Sequence, residues 1–505
     1  MRTLAILAFV LLLASCAGSR STLPPAARVA AQPLLLPVPS DPTVSFSISF
    51  PAGSQMDPPG KEGLAYVTAT LMAEGATTSH PWAAILEQLY PMAAGYQVRV
   101  DVEKVTFTGR VHRDHLAAYT QLLLDAIVRP AFFSEDLERL RQRALAYLTR
   151  TLRYSSDEEL GKAALATTLF AGTPYGHLPV GTVAGLSAVT VDDVRRFYRD
   201  HYTRDTVTLG LGGGFDGELP ARLLAALAQL PPGVPALPPP PVVTLSGRHV
   251  VIVRKAAPAT AISFGFPLAV RRGHDDFYPL LVANSWLGEH RNSSSHLYQV
   301  IREARGLNYG DYSYLEYFPE GGRRTMPPPN VPRRQQLFEV WIRPVPHSAA
   351  HFALRAAVRE VEKLAAEGLD DEAFTLTRNF FTTYSLHLAD TTATRLGYAV
   401  DDRFYGIPAP GHLARLRERL THMTRDEVNT AVRRHLRTRD MVIAIVTPDA
   451  EGLAEALATE AESAISYDTP KPPAVLAEDA IIARYPLRIP RERIRIVPVE
   501  ELFAR

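Results

Sequence analysis

Two pairs of histidines in this sequence have spacings that could support chemistry. His112 and His115, in RVHRDHL, have an H-x-x-H spacing that can bring two imidazoles to one metal ion. However, no Glu accompanies them, and the segment is typical of a strand that ends and enters a helix. His201 and His435 lie at matching places in two similar helices without catalytic partner residues nearby. We therefore expect packing or capping roles for His201 and His435, and no metal binding by His112 and His115.

Cys16, the only cysteine, is a candidate lipidation site. A short apolar run from Leu4 to Ala14 precedes it, which is typical of a secretory signal and shorter than the roughly 20 residues of a transmembrane helix. Leu13 to Cys16 resembles a bacterial lipobox, so we expect residues 1–16 to be a lipoprotein signal peptide. A simply cleaved signal or a buried free thiol is the alternative. Ala17 stands where Asp would favour inner-membrane retention, which indicates the outer membrane, facing the periplasm.

The composition is that of a folded and nearly neutral protein. The chain has 505 residues, with 54 Lys and Arg against 53 Asp and Glu. This length predicts at least two domains. The charge balance gives no electrostatic reason to expect nucleic acid as a partner. Local sites must therefore carry the function.

Similar patterns occur on either side of a proline-rich segment. PPGVPALPPPP, residues 231–241, cannot be a helix interior or a central strand, so it indicates a linker. The stretch LSAVTVDDVRRFYRDHY from Leu186 is matched by LTHMTRDEVNTAVRRHL from Leu420. In both copies a threonine, Thr190 or Thr424, is placed to cap an amphipathic helix that a β-rich run follows. An internal duplication is the simplest explanation.

These patterns predict an α+β fold with two homologous domains, each a mostly antiparallel sheet with helices packed on one face. Strand patterns such as YQVRVDVEKVTFTGRV and LFEVWIRPVP alternate with amphipathic helices. Ordered structure is expected to begin near Thr43. The predicted divisions are a signal peptide (1–16), a flexible tether (17–42), a first domain (43–230), a linker (231–245), a second domain (246–465) and a C-terminal tail (466–505).

One predicted helix lacks acidic residues and histidines on its inner face. GLAYVTATLMAEG, residues 63–75, follows the strand-like VSFSISF and the loop PAGSQMDPPGKE. Leu64, Val67, Leu71 and Met72 recur at the intervals of a buried amphipathic helix. No His, Glu or Asp lies on the inner face, although the surrounding sequence is of a kind that presents chemistry there.

The stretch AGSQMDPPGKEGLAYVTATLMAEGATT resembles the opening of the M16 (insulinase or pitrilysin-like) metallopeptidases, in which such a loop leads into the zinc helix. FAGTPYGHLPVGTVAGLSAVTVDDVRRFY, SSSHLYQVIREARGLNYG and YPLRIPRERIRIVPVEELF are also similar to family segments, in the family's order. The resemblance covers almost the whole chain after Thr43. It implies two domains of the LuxS/mitochondrial processing peptidase-like type.

Active M16 enzymes carry H-x-x-E-H on this helix, with two His as zinc ligands and the Glu as base for a zinc-bound water. Counting from the Gly-Leu-Ala lead-in puts these roles on Tyr66, Ala69 and Thr70, which cannot perform them at neutral pH. The family's third ligand, a Glu, should lie within residues 141–154, where there is no acid. Glu74 points away from the same face, so a solvated or capping role is expected. The resemblance thus implies no catalytic residue and no metal in this chain.

Arg302 and Tyr309, in IREARGLNYG, resemble the Arg and Tyr with which M16 enzymes hold substrate from the C-terminal half. A guanidinium and a phenol can both donate hydrogen bonds to peptide carbonyls. The alternative is an exposed Arg paired with a nearby acid, and a core Tyr. Some bacterial M16 proteins and the mitochondrial processing peptidase pair a zinc-bearing subunit with one that lacks the motif.

The leading hypothesis is a non-catalytic, lipid-anchored subunit of the cell envelope. It would pair with a zinc-containing M16 homologue, which would hold the metal, and would help to bind peptide or unfolded polypeptide substrates. A second hypothesis is a structural or binding protein, like the M16-derived core subunits of the bc1 complex. The Pro- and Arg-rich stretch 319–336 is either a partner contact or solvent-exposed basic filler. A third is an active zinc metalloendopeptidase with rebuilt chemistry, for which no alternative ligand cluster was found.

Overall fold

The computed structural model describes residues 32–505, so Cys16 and the predicted signal peptide lie outside the described residues. Five strands of the first half form one sheet: β1 (Leu34–Pro37), β2 (Thr43–Phe50), β3 (Gly95–Val100), β4 (Val105–His112) and β5 (Thr208–Gly213). Their order is β1-β5-β2-β4-β3. Only β1 and β5 run parallel, and the other neighbours are antiparallel.

The described part of the first half, from residue 32 onwards, contains eight α-helices: α1 (Leu64–Glu74), α2 (Trp82–Leu89), α3 (Leu116–Val128), α4 (Ser134–Ala146), α5 (Asp157–Leu169), α6 (Val183–Ala188), α7 (Val191–His201) and α8 (Leu219–Leu227). The helix α1 is the one singled out in the sequence, and it contacts α3, α4, α7 and the edge strand β3. α4 continues into a π-helical segment, Tyr147–Leu152. Wider turns of this kind often occur at functional sites.

Ordered structure begins earlier than the predicted Thr43. The strand β1 pairs in parallel with β5, with Leu34 opposite Gly210 and Pro37 opposite Gly213. The edge of β5 offers unpaired backbone groups, and a short extended segment satisfies them. The prediction of a flexible tether over 17–42 is therefore wrong for β1. The rest of that range up to residue 31 lies outside the described part of the chain.

Six strands of the second half form the other sheet: β6 (Arg248–Arg254), β7 (Thr260–Leu268), β8 (Asp311–Tyr314), β9 (Gln336–Val345), β10 (Met441–Thr447) and β11 (Ile494–Pro498). Their order is β11-β6-β10-β7-β9-β8, with β6 parallel to both its neighbours and the other pairs antiparallel. Its helices are α9 (Phe277–Gly288), α10 (Ala350–Glu367), α11 (Asp371–Tyr384), α12 (Thr392–Tyr405), α13 (His412–His422), α14 (Arg425–His435), α15 (Ala450–Ala458) and α16 (Pro473–Ile482).

The predicted repeat is visible in the helix caps. Thr190 begins α7 and exchanges hydrogen bonds with Asp193, while Thr424 begins α14 and exchanges them with Glu427. Each such reciprocal cap satisfies two backbone N–H groups that a helix start leaves open. Each helix is followed by a fully buried strand, β5 or β10. The prediction of two related α+β domains with mostly antiparallel sheets is confirmed.

The two halves also exchange one helix each, which the sequence did not indicate. α5 of the first half packs on β7 and β10, and α12 of the second half packs on β5 and β2. Every residue of β10 is buried, because helices cover both faces of the second sheet at this strand. On β5, a Cβ at Gly212 would lie 2.9 Å from Cγ2 of Thr392, so glycine permits the close approach of α12.

The chain end is part of the fold. Residues 231–247 have no regular structure. The predicted tail 466–505 includes α16, which packs on α10, and β11, the edge strand of the second sheet. The backbone N–H of Val183 then donates to the carbonyl of Phe503 at 2.9 Å, so the last residues return to the first half. Among residues 32–505 the model contains no helix with the length and apolar character needed to span a membrane.

Candidate functional site

The helix α1 is fixed at its N-terminus by an acid from the preceding loop. It begins after Gly63, whose φ of 108° lies in the left-handed region that favours glycine. The buried carboxylate of Asp57 accepts hydrogen bonds from the backbone N–H groups of Gly63 and Ala65, both at 2.7 Å. Burial raises the pKa of Asp57 to about 8, while the two N–H donors and the helix N-terminus favour the ionised form. The loop PAGSQMD thus positions the helix without supplying a group to its inner face.

The residues at the three positions of the zinc motif can neither bind a zinc ion nor activate a zinc-bound water. Ala69 is fully buried and carries no polar atom. The Thr70 hydroxyl is directed at its own helix, where it donates to the carbonyls of Tyr66 at 2.9 Å and Val67 at 3.0 Å. Tyr66 is half-buried, and burial raises the pKa of its phenol above the ordinary value, which keeps it neutral. These residues therefore do not fit a zinc ion.

The helix where the third ligand was expected carries positive charge instead. Arg143 on α4 places Nη1 2.5 Å from Oε2 of Glu74, and Arg139 donates to the Glu74 carbonyl at 2.6 Å. Glu74 is thus held in an ion pair at the end of α1. Tyr147 opens the π-helical segment that follows α4 and is 44% exposed. A guanidinium near the former ligand positions opposes the binding of a second cation there.

No cluster of three or more His, Cys, Asp or Glu suitable for a metal occurs within residues 32–505. The Nδ1 atom of His112 accepts a hydrogen bond from the Asp114 backbone at 3.4 Å, which caps the turn containing His115. The ring of His201 packs against Phe197, with centroids 4.3 Å apart. His435 bonds Asp276 at 2.7 Å. His201 thus has a packing contact of the kind expected from the sequence, whereas His435 is held by an acidic side chain.

A cavity of about 320 Å³ lies beside α1, and its walls come from both halves. Aromatic rings are the most frequent feature of the walls. They belong to Tyr66, Tyr147, Phe170, Tyr175, Tyr317 and Phe318. The sequence does not indicate this cavity, because the lining residues are scattered over more than 250 positions and meet only when the two halves pack.

The charged floor of the cavity combines α5 with β9. The Lys162 ammonium lies 2.6 Å from Glu159 and 3.4 Å from the centre of the Trp341 ring. Glu339 is 6% exposed, and its Oε1 has no hydrogen-bond partner in the described part of the chain. Burial raises the pKa of Glu339 to about 7. The signal for this site was Glu339 itself, a charged residue inside the apolar strand LFEVW, where charges are rare unless paired.

One side of the cavity is closed by the bridging loop, residues 315–335, which joins β8 to β9. Arg333 donates to both carboxylate oxygens of Asp101, at 2.6 and 3.0 Å, and its guanidinium stacks 3.4 Å from the centre of the Tyr317 ring. Arg334 bonds Glu103 at 2.6 Å, and Tyr175 also donates to Glu103. The loop therefore fastens the second half to the β3–β4 turn of the first.

This placement corrects the interpretation of the stretch 319–336 as solvent-exposed filler. Only Glu320, Gly322, Arg323 and Thr325 within it are exposed. The stretch is not solvent-exposed filler, because Arg333 and Arg334 are paired inside the chain, while a partner contact through its exposed tip stays a prediction. Arginine suits this position because its planar fork satisfies both oxygens of a buried carboxylate.

Arg302 and Tyr309 are brought together on a different surface. They line an open groove of about 560 Å³ that shares no lining residue with the cavity beside α1. Arg302 lies in a second π-helical segment, Tyr298–Glu303, and its Nη1 is 2.6 Å from Glu303. Tyr309 is 79% exposed, so it is not a core residue. The Arg has the local acid partner that the alternative interpretation expected, but the Tyr faces solvent.

Two family models and several known proteins are similar to this chain. Residues 34–178 match the family model Insulinase (Peptidase family M16), and residues 188–381 match the model Peptidase M16 inactive domain. A Streptomyces coelicolor protein named as an uncharacterized zinc protease is 26% identical over 364 residues, which cover 70% of this chain and 73% of that protein. The Helicobacter pylori non-peptidase homolog YmxG is 22% identical over 408 residues, covering 79% and 88%.

A solved structure shows the same fold. The crystal structure of a peptidase M16 inactive domain from Pseudomonas fluorescens superposes with a TM-score of 0.71 at 19% identity, covering 82% of this chain and 95% of that chain. The two M16 family models together match well over half of the sequence. This protein therefore belongs to peptidase family M16, as a member in which the H-x-x-E-H positions have lost their ligands and base.

Proposed function

We propose that this chain is a non-catalytic subunit of a two-component M16 peptidase of the bacterial cell envelope. It pairs with a zinc-bearing M16 homologue and contributes substrate contacts through Arg302 and Tyr309. The observation that carries the proposal is the contrast between two sites. The zinc helix has no usable ligand, whereas Arg302 and Tyr309 line one open groove. The name of the Helicobacter pylori relative, a non-peptidase homolog, supports the absence of catalysis in this chain alone.

The groove has the donors that an extended peptide needs. The phenol of Tyr309 is exposed, and the Arg302 side chain is 38% exposed beside Glu303. A surface ion pair of this kind contributes only about 0–1 kcal/mol, so the guanidinium can exchange Glu303 for a peptide carbonyl at little cost. Both side chains can then donate to the backbone of a bound segment, which recognises polypeptide largely independently of its sequence.

The proposal is tested with the zinc-bearing M16 homologue of the same organism. The two chains are co-purified, and the cleavage of unfolded polypeptide is compared for the pair and for the zinc subunit alone. Arg302→Ala and Tyr309→Phe are each expected to lower kcat/KM of the pair by about tenfold or more while leaving the association of the chains unchanged. Arg323→Ala and Tyr90→Phe, at exposed positions away from the groove, serve as matched controls. Equal cleavage by the zinc subunit without this chain would contradict the proposal.

The proposed location is the outer membrane, with a lipid anchor on Cys16 and the folded domains in the periplasm. The support is the signal and lipobox pattern of the sequence. Mass spectrometry of the N-terminal peptide from the native envelope should find a diacylated Cys16, and Cys16→Ser should release the protein from the membrane fraction. Retention of the Ser variant in the membrane would show that another contact holds it there.

A second candidate is a structural or binding subunit without a role in proteolysis. It is favoured by the bridging loop, which closes the cavity beside the degenerate zinc helix with buried ion pairs to Asp101 and Glu103. A scaffold has no need of an open cleft at this position. Co-purification from the native envelope separates the two candidates, since partners that include no zinc-bearing M16 protein would favour the scaffold.

A further inference from the structure

We propose that the aromatic-walled cavity beside α1 is a binding site for an organic cation, an ammonium group carried on a short apolar or aromatic stem. The inference is independent of Arg302 and Tyr309, which line another groove. Of the three degenerate zinc positions, only Tyr66 lines this cavity, so the proposed ligand does not occupy the former metal site. The cation is either a free amine or the lysine side chain of a polypeptide.

The walls have the composition of a cation-binding cage. Tyr66 on α1 and Tyr147 at the start of the π-helical segment belong to the first half, while Tyr317 and Phe318 on the bridging loop belong to the second. The faces of such rings carry partial negative charge and attract an ammonium group within about 6 Å of the ring centre. The apolar parts of the same rings can cover the stem of the ligand. Lys162 over Trp341 shows that the floor already holds one cation in this way.

The charges at the floor leave one carboxyl group without a counter-ion. Glu159 is paired with Lys162 at 2.6 Å, and Arg333 is paired with Asp101 at 2.6 Å. Glu339 is 6% exposed, forms no ion pair in residues 32–505, and its Oε1 has no hydrogen-bond partner there. The nearby Lys162 charge lowers the pKa of Glu339, but its ammonium group is ion-paired with Glu159. A buried carboxyl without a partner is costly. A bound ammonium group supplies both the missing charge and the missing donor.

The remaining charged groups lie at the rim of the cavity. Arg99 on β3 is partly exposed, and Glu320 on the bridging loop is exposed with Arg324 at 3.4 Å. His177 is held by the buried Asp57, with Nε2 3.8 Å from its carboxylate. The rim therefore keeps the positive charge of Arg99, and the attraction for an ammonium group comes from the floor, where Glu339 is the one lining carboxyl group without an ion pair in residues 32–505.

Size and rigidity limit the ligand further. A cavity of about 320 Å³ lies at the small end of the range of ligand pockets, which suits an arylalkylamine or a single side chain. The Tyr317 ring is held in place by the stacked Arg333 guanidinium, which itself is locked on Asp101. Walls that are fixed before binding reduce the entropy lost when the ligand enters.

The test measures binding of phenethylammonium to the full chain by isothermal titration calorimetry. Phenethyl alcohol, a neutral molecule of the same shape, is the matched ligand. Glu339→Gln removes the charge without changing the volume, and Glu320→Gln removes a rim carboxylate as the matched variant. The expected results are saturable binding of the ammonium, an affinity lower by about tenfold or more for the alcohol and for Glu339→Gln, and a change below about twofold for Glu320→Gln.

Further binding measurements identify the source of the cation, and circular dichroism controls for misfolding of the variants. The tripeptide Ac-Ala-Lys-Ala-NH2 is compared with Ac-Ala-Met-Ala-NH2, and preference for the lysine peptide over phenethylammonium indicates a polypeptide ligand. Tyr147→Leu, at a half-exposed position, should weaken the ammonium severalfold more than the alcohol. Unchanged circular dichroism shows that each variant is folded. Equal affinity of the ammonium and the alcohol, unchanged binding by Glu339→Gln, or no saturable binding would overturn the proposal.

Discussion

Replacing Arg333 by alanine removes one of the buried ion pairs that join the two halves. Arg333 and Asp101 are buried, with side chains 6% and 2% exposed, and two hydrogen bonds of 2.6 and 3.0 Å join them. The variant Arg333→Ala leaves the Asp101 carboxylate buried without a counter-ion, which typically costs about 3–5 kcal/mol. It also removes the guanidinium stacked on Tyr317, worth about 1 kcal/mol. We expect a loss of about 5 kcal/mol in the free energy of unfolding.

Urea unfolding followed by circular dichroism measures this loss. A double-mutant cycle with Asp101→Asn isolates the pair, since both partners are then neutral and the double variant should lose about 2 kcal/mol less than the sum of the single variants. Arg222→Ala is the matched control. It breaks an exposed pair to Asp216 at 3.0 Å, with both side chains 56% exposed, so a change below about 0.5 kcal/mol is expected.

The same variant should open the bridging loop. Arg323 is exposed near its tip, and trypsin should cut there faster in Arg333→Ala than in the unmodified chain. A free energy of unfolding and a rate of trypsin cleavage that both equal those of Arg222→Ala would refute the reasoning. That outcome would mean that the buried pair does not hold the loop against the first half.

Three other predictions follow from particular residues. Burial raises the pKa of Glu339 from 4.5 to about 7, so its contribution to stability is present below about pH 4.5 and is lost as the pH rises towards 7. Urea unfolding should therefore find Glu339→Gln more stable than the unmodified chain at pH 8, by about 2–3 kcal/mol. At pH 4.5 the two proteins should be equally stable. Thr190→Ala and Thr424→Ala should each lower the free energy of unfolding by about 1 kcal/mol, since both remove the same helix cap, and markedly unequal losses would contradict the equivalence of the two repeats. Elemental analysis of the purified chain should find far less than one zinc per molecule, and a chelator should leave the melting temperature unchanged; stoichiometric zinc would contradict the assignment of the lost ligands.

The repeats were predictable because they rest on local signals. A threonine followed three residues later by an acid marks each helix start, and the alternation of apolar and polar residues marks the strands. The loss of the zinc motif was equally legible, since it depends on residue types at fixed spacing within one helix. β1 was missed because a four-residue edge strand has almost no pattern of its own and is ordered only by β5.

The candidate sites were only partly predictable. The sequence supplied Arg302 and Tyr309 through a family resemblance, but their exposure and their common groove depend on how β9 and the π-helical segment Tyr298–Glu303 pack. Glu339 offered one local signal, a charge within an apolar strand. Tyr147 precedes Glu339 by nearly 200 residues, and Tyr66 by more. Nothing near Glu339 in the sequence indicated that these two tyrosines face the same cavity.

By itself the sequence determined the family, the duplicated α+β domains and the absence of a zinc ligand on α1, because each depends on residue types at short range. The tertiary structure decided how the halves are joined and what now occupies the surroundings of the zinc helix. It exchanged α5 and α12 between the sheets and turned a Pro- and Arg-rich stretch into the buried bridging loop. These outcomes depend on burial and on charge pairing between residues far apart in the chain. Contacts of this kind leave no periodic pattern in the amino-acid sequence.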